Sequence, residues 1–176
     1  GVFGDPERTG TPSTGSISVG LVVPAGLLAS FNSVSQFNGV AYIVTVKATR
    51  GSESVKSFRR ILFSTKTPNA NPSIADLLSE GSSLTALPTK ASSLSFSATG
   101  AENFQRLLTD GSTVNETESF ETTWFVSDGT IESARTLLGE KTSWIPPSSA
   151  PVGRSTLVIG VLRDGRGGVN VMTKKF

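Results

Sequence analysis

Apolar residues occupy alternate positions in several short segments of this sequence, and most of these segments end at a Gly, a Pro or an Asp-Gly. The clearest case is Ser92–Gly100, in which Leu94, Phe96 and Ala98 alternate with small polar residues. Because successive side chains of a β-strand point to opposite faces, this period of two predicts a half-buried strand. The low charged fraction of 17% suits short strands joined by turns better than long surface helices. We therefore expect an all-β fold.

The same pattern predicts strands on both sides of this segment. They cover Ser16–Pro24, Val40–Gly51, Ser54–Thr65, Glu121–Gly129, Thr142–Pro147 and two strands within Arg154–Phe176. The second and third of these are separated by a short polar turn and predict a hairpin. The expected core face of that hairpin carries Val40, Tyr42, Val44 and Val46. The last two strands flank Asp164–Gly168, whose glycines accept the positive φ that tight turns require.

A stretch without apolar periodicity divides the chain. Lys66–Ile74 contains two prolines and two asparagines, which favour extended or turn conformations over helix. We predict a flexible tail at residues 1–15, a small β unit at residues 16–67 and a β-sandwich at residues 68–176. A sandwich commonly needs about seven strands over about 100 residues. The unit before the boundary is therefore either a small sheet packed on the rest or the back half of an incomplete domain.

The residue types on which most enzymes and metal sites depend are missing. The chain has no cysteine and no histidine, which excludes a thiol nucleophile, an imidazole base, a Cys/His metal site and a disulfide framework. Acids cluster within residues 101–128, but their spacing does not indicate the paired carboxylates of a glycosidase. Asp110, Asp128 and Asp164 each precede a glycine and are predicted as turn residues rather than calcium ligands. We predict no catalytic residue, no metal, no cofactor and no enzyme.

Charge does not indicate a nucleic-acid partner. The net charge is only +2, and no dense basic stripe with interleaved aromatic residues occurs. The sharpest basic cluster is Lys56, Arg59 and Arg60, in a predicted strand whose apolar residues are expected to face a core. Solvated charges on a strand edge explain this cluster better than a binding site does.

The sequence also predicts no membrane span, because it has no apolar run of about eighteen residues or more. The stretch Gly1–Ser16 is polar and rich in Gly, Pro and Thr. It is read either as what remains after removal of a signal or lipid-attachment segment upstream, or as an ordinary flexible start.

Five short motifs follow one another in the second half of the chain. They are NPSI, LSFSATG, TTWFVSDGTI, TSWIPP and TLVIGVLRDGRGGV, between Asn69 and Val171. In this order they resemble the bacterial Ig-like and PKD-like modules that occur in tandem on secreted and cell-surface proteins. The resemblance implies an immunoglobulin-like β-sandwich with Greek-key connections in an extracytoplasmic protein, at the cell surface, in the periplasm or associated with the outer membrane. It also implies contact with a protein partner or a neighbouring Ig-like module.

The chain departs from the modules that it resembles at two places. Ser155 or Thr156 stands where they carry a tyrosine before the penultimate strand, so no tyrosine corner is expected. Ala101–Phe120 replaces a short Asp-rich loop and has the apolar spacing of one or two turns of helix. This insertion either projects as a contact element or caps the open end of the core. Its candidate partner-contact residues are Phe104, Arg106, Leu107, Leu108 and Asp110.

The predicted function is that of a non-catalytic structural or adhesive module of a bacterial envelope or cell-surface protein. The alternative is a carbohydrate-binding β-sandwich, which Trp124 and Trp144 could serve by stacking on a sugar. Their places in the motifs predict core positions instead, with Trp124 between the sheets. The exposure of these two rings, of Tyr42 and of Phe104 distinguishes the alternatives, because a glycan site needs a coplanar exposed pair.

Overall fold

The computed structural model describes residues 24–149 and 155–176. The described residues form thirteen β-strands, a 3-10 turn at Leu28–Ser30 and the short helix α1 at Ser33–Asn38. The strands are β1 Val40–Arg50, β2 Glu53–Phe63, β3 Ser73–Ser79, β4 Ser82–Ser83, β5 Ser92–Thr99, β6 Asn103–Leu107, β7 Thr113–Thr117, β8 Glu121–Val126, β9 Thr130–Ile131, β10 Arg135–Leu137, β11 Thr142–Ile145, β12 Leu157–Arg163 and β13 Val169–Lys175. The tail predicted at residues 1–15 and the strand predicted at Ser16–Pro24, except Pro24 itself, lie outside the described residues.

The prediction of an all-β fold is confirmed, and the strand pairs of the described residues are antiparallel. One sheet has the order β4-β3-β5-β11-β9 and a second has the order β10-β8-β12-β13. Side chains from these two sheets form one hydrophobic core, so the sheets pack face to face. We call them the two-sheet body. The remaining strands form two separate hairpins, β1–β2 and β6–β7.

Alternating apolar residues located the longer strands of the two-sheet body correctly. On β5, Leu94 and Phe96 are buried as predicted, and Ala98 is half-buried. β8, β11, β12 and β13 also fall within predicted segments. β3 was not predicted, because a bulge between Ile74 and Asp76 interrupts its alternation and places its start inside the predicted linker.

The centre of the core is a contact between the two sheets. The ring of Phe96 on β5 stacks on the ring of Trp124 on β8, with centroids 4.6 Å apart and planes 12° from parallel. The indole N–H of Trp124 donates to Thr136 Oγ1 at 2.8 Å, which satisfies the one polar group of the ring. Gly160 on β12 faces the Phe96 ring so closely that a Cβ there would overlap it. The absence of a side chain at Gly160 therefore makes room for the stack.

We expect Gly160→Ala to lower the free energy of unfolding by about 1–3 kcal/mol, because an added methyl group forces the Phe96 ring away from Trp124. Urea unfolding measures this cost. The same substitution should cost at least about 1 kcal/mol less in a Phe96→Leu background, where the smaller side chain leaves space for the methyl group. Equal costs in the two backgrounds would show that the ring and the glycine are not coupled.

Candidate functional site

The first candidate site is the hairpin of β1 and β2, residues 40–63, which we call the arm. Its strands pair without interruption from Val40↔Phe63 to Arg50↔Glu53 and turn at Gly51 and Ser52. Eleven residue pairs give it a length of about 35 Å. It forms a two-stranded sheet, and no third strand of the described residues pairs with either outer edge. The predicted hairpin is thus confirmed, and it has two open edges in the described part of the chain.

The arm exposes large apolar side chains, and three of them, Val46, Val55 and Phe58, lie where the sequence predicted a core face. Four of them are more than half exposed: Ile43 (58%), Val46 (57%), Val55 (71%) and Phe58 (73%). The predicted core face is therefore wrong at Val46, and Val40, Tyr42 and Val44 are only half-buried. The expectation that the apolar residues of β2 face a core is also wrong, as Val55 and Phe58 show. The physical reason is that no second layer of the described residues covers the outer half of the arm.

The arm is also basic. It carries Lys47, Arg50, Lys56, Arg59 and Arg60 against the single acid Glu53. Lys56, Arg59 and Arg60 are exposed, as predicted for solvated strand charges. Within the described residues, the side chains of Arg59 and Arg60 make no hydrogen bond or ion pair. The arm therefore offers both apolar contact area and unpaired positive charge.

The base of the arm is fastened to β6 by a side-chain amide. Asn38, the last residue of α1, donates to the carbonyl of Leu107 at 2.9 Å and accepts from the Leu107 N–H at 2.8 Å. Its amide thus replaces a neighbouring strand along the open edge of β6. Helix α1 was not predicted, although the N-cap Asn32, which accepts from the Ser35 N–H, and Gly39 at its end are the signals that could have located it.

The insertion at Ala101–Phe120 forms the hairpin β6–β7, so the predicted helix is wrong. Leu107 and Leu108, expected on one helical face, instead lie at and just after the end of β6, where cross-strand pairing governs their placement. Asp110 accepts from the backbone and hydroxyl of Ser112 and closes the turn. The β-branched residues of β7 favour strand over helix. This sequence signal outweighs the helical spacing of Phe104, Leu107 and Leu108.

The candidate contact residues of the insertion lie in different surroundings. Arg106 is exposed and pairs with Glu116 across the hairpin, and Asp110 is exposed at its tip. Phe104, Leu107 and Leu108 are half-buried. Leu107 is the attachment point for Asn38, and the Phe104 ring lies under the guanidinium of Arg166 at 4.4 Å. The insertion thus joins the arm to the two-sheet body.

The second candidate site is a cleft of about 460 Å³ between β2, the linker that follows it, β6 and the turn between β12 and β13. Five basic residues line it: Arg59, Arg60, Lys66, Arg106 and Arg166. No aspartate or glutamate is among its described lining residues. We call it the basic cleft. The sequence did not reveal it, because its cations are up to 107 positions apart and only the fold brings them together.

Arg166 is the cation that is held most firmly. Its Nη1 donates to Glu118 Oε1 at 2.9 Å and lies 3.6 Å from Glu102 Oε2. Burial and the nearby charge of Asp164 raise the pKa of Glu118, against the lowering effects of the Glu102 N–H and of Arg166. Both acids beside Arg166 therefore already have this guanidinium as a partner.

The turn below the cleft is organised by a buried carboxylate. Asp164 is 2% exposed and accepts from the N–H groups of Arg166 and Gly168 at 2.8 and 2.9 Å and from Asn69 Nδ2 at 2.7 Å. A Cβ at Gly168 would overlap this carboxylate, so glycine is required there. The linker asparagine Asn69 is thereby tied to the turn. Asp164 is a turn residue, as predicted, and Asp128 likewise lies in the bend before Gly129.

Both tryptophans are core residues, as predicted. Trp124 is 3% exposed and Trp144 is 2% exposed, and the indole N–H of Trp144 donates to the Asp128 carbonyl at 3.1 Å. Tyr42 is half-buried, and its ring meets Phe63 edge-on at 5.9 Å. Thr156, at the position where a tyrosine corner is missing, is buried and directs its hydroxyl towards Asp128 at 3.4 Å.

Comparison with known proteins gives no relative. No protein-family model, no curated protein and no solved structure matches the chain. Among residues 24–149 and 155–176, no group of acids has the arrangement of a metal site. No helix in that part of the chain is long and apolar enough to cross a membrane.

We expect Asn38→Ala to loosen the base of the arm, because two hydrogen bonds to a half-buried backbone are lost at a cost of about 1–2 kcal/mol. Hydrogen exchange of the Leu107 amide should become faster. Gln36→Ala is the matched control, since the Gln36 side chain bonds only the Phe31 carbonyl beside its own helix. If both variants, or neither, accelerate exchange at Leu107, Asn38 is not the fastening residue.

We expect Glu118→Gln to change the pH dependence of stability. Because the folded pKa of Glu118 lies above its ordinary value of 4.5, the stability that this group contributes is greatest below that value and is lost as the pH rises through the folded pKa. The wild type should therefore lose this contribution between roughly pH 4 and pH 7, whereas the variant has none to lose. The unfolding free energy of the variant should rise relative to that of the wild type over this range. Chemical denaturation at both pH values measures it, and a constant difference would contradict the expected shift.

Proposed function

We propose that this protein is a non-catalytic, immunoglobulin-like β-sandwich module that makes protein–protein contacts through the arm. The proposal places it in an extracytoplasmic, envelope or cell-surface protein of the kind that the sequence motifs resemble. The observation that carries it is the arm, with two open edges and exposed apolar side chains among the described residues.

The strand order supports the immunoglobulin-like part of the proposal. The chain passes from β3 and β5 in one sheet to β8 in the other. The next four strands, β9 to β12, then alternate between the two sheets, with β11 beside β5 and β12 beside β8. Immunoglobulin-like sandwiches also connect two antiparallel sheets by crossings, in a Greek-key arrangement, and this likeness supports the proposal. Immunoglobulin-like sandwiches carry a core tryptophan between their sheets, and the buried Trp124 ring, which stacks on Phe96 of the opposite sheet, is in keeping with that feature.

A comparison within the chain indicates what the arm lacks. The hairpin β12–β13 has the same antiparallel form, but β12 also pairs with β8 and buries Val158 and Leu162 against the opposite sheet. The arm has neither a third strand nor an opposing sheet in the described residues. An isolated hairpin is only marginally stable in water, and open edges accept strands from other chains.

The partner that fits this surface is therefore a β-sandwich module of the same kind, which supplies a strand to an edge of the arm and an apolar face to cover it. A second copy of this chain is the available probe for such a partner. The arm is positively charged, and like charges placed opposite each other are destabilising. Side-by-side pairing of the arm with an acidic or mixed surface is therefore favoured over stacking of two arms.

The carbohydrate-binding alternative has less support. Trp124 and Trp144 are buried, and the face of Phe104 is covered by Arg166. These rings do not form the coplanar exposed pair that a sugar-stacking platform needs, whereas the exposed Phe58 and Val55 lie on a ribbon rather than in a groove.

We expect the protein to self-associate as its concentration rises in sedimentation velocity experiments, and Phe58→Ser to weaken the association by about tenfold, because it removes a large exposed apolar contact from the arm. Phe125→Ser is the matched control, since Phe125 is 52% exposed on β8, outside the arm. A protein that stays monomeric to millimolar concentration, or equal effects of the two variants, would refute the arm as the contact surface.

A further inference from the structure

We propose that the basic cleft binds an acidic peptide segment of the protein partner, through bidentate and single contacts from its arginine and lysine side chains to carboxylates. This inference rests on the proposed function, because it names the chemistry of the partner's segment. The cleft lining does not include Ile43, Val46, Val55 or Phe58, the most exposed apolar residues of the arm, so the two surfaces can be tested separately.

The first step is that three of the five cations that line the cleft, Arg59, Arg60 and Lys66, have no ion-pair partner among the described residues. The other two cations are paired, Arg106 with Glu116 and Arg166 with Glu118, and the buried carboxylate of Asp164 accepts from the backbone of the turn that lines the cleft. Arg59 and Arg60 make no ion pair within the described residues, and Lys66 binds only a carbonyl, Gln105 O at 3.1 Å, and the ring of Phe37. Three cations without counter-charges in one cleft attract an anion.

The second step is that the cations of the cleft repel one another. Partial burial, followed by the repulsion of Arg166, lowers the pKa of the Lys66 ammonium. The fold thus keeps Lys66 and Arg166 close enough for their positive charges to repel each other. A bound carboxylate relieves that repulsion, which makes an anionic ligand more favourable here than on an open basic surface.

The third step distinguishes peptide carboxylates from other anions. The Phe104 face, which could stack a base or a sugar ring, is occupied by the Arg166 guanidinium at 4.4 Å. The remaining walls combine guanidinium groups with the apolar side chains of Ile61 and Leu62 and with asparagine amides. Carboxylates fit guanidinium groups in a bidentate manner, and an extended peptide brings apolar and amide groups beside them. Nucleic acid would need the stacking face that the cleft does not offer.

The position of the cleft fits this role. It lies at the base of the arm, between β2 and the turn that Asp164 organises. A partner that pairs with an edge of the arm would run its chain towards this cleft. Binding there would connect the arm to the turn between β12 and β13, next to the place where Asn38 and Lys66 contact β6.

Fluorescence anisotropy with labelled hexaglutamate tests the proposal. Arg60→Gln should weaken binding by about threefold and the double variant Arg60→Gln/Lys66→Gln by about tenfold, because each partly exposed cation contributes modestly. The matched control is Lys90→Gln/Arg135→Gln, which removes two charges from the surface outside the cleft lining and should change binding less than twofold. Arg60 has no described hydrogen-bond or ion-pair partner, so its single variant keeps the test valid if the double variant folds poorly.

Three results would overturn the proposal. They are the absence of hexaglutamate binding at low salt, equal weakening by the control and cleft variants, and tighter cleft-dependent binding of an oligogalacturonate, which would assign the cleft to an acidic glycan. Phe58→Ser should leave hexaglutamate binding unchanged. If hexaglutamate binds but the protein does not self-associate, the arm is refuted as a contact surface and the proposal for the cleft stands. If the protein self-associates but hexaglutamate does not bind, only the proposal for the cleft is refuted.

Discussion

The two-sheet body depends on one contact, the stack of Phe96 on Trp124 over Gly160. This contact joins the central strands of opposite sheets, and the glycine sets how closely they approach. Burial of two aromatic rings contributes several kcal/mol, and their offset geometry adds a further part. The insertion β6–β7 connects β5 to β8, the two strands that carry these rings, and the stack is formed in its presence.

Polar contacts determine how the other parts attach to this core. Asp164 is buried yet satisfied by three donors, and one of them, Asn69, comes from the linker after β2. Asn38 completes the open edge of β6 in the same way, with an amide in place of a strand. Because such hydrogen bonds are directional, they fix the linker and the base of the arm in one orientation and give the basic cleft a defined shape.

The arm and the cleft place an exposed apolar surface next to a positively charged one. The outer half of the arm has apolar side chains with nothing of the described residues over them. Its base lines a cleft in which Arg59, Arg60 and Lys66 form no ion pair within the described residues. A protein surface can keep either feature without function, but their adjacency allows one partner to engage both. A protein partner with a β-edge and an acidic segment would satisfy both surfaces at once, which is the physical basis of the proposed function.

The sequence by itself determined the strands whose apolar residues alternate, the hairpins at Gly51 and Asp164–Gly168, and the core places of Trp124 and Trp144, because these follow from local periodicity and turn chemistry. It did not determine the outcome at Phe104, Leu107 and Leu108, where helical spacing and strand pairing compete and only the pairing partner decides. It also placed Val46 and Phe58 in a core that the tertiary structure does not provide. Whether an apolar strand face is covered, and whether distant cations such as Arg59 and Arg166 line one cleft, depends on contacts between residues far apart in the chain, and only the tertiary structure contains them.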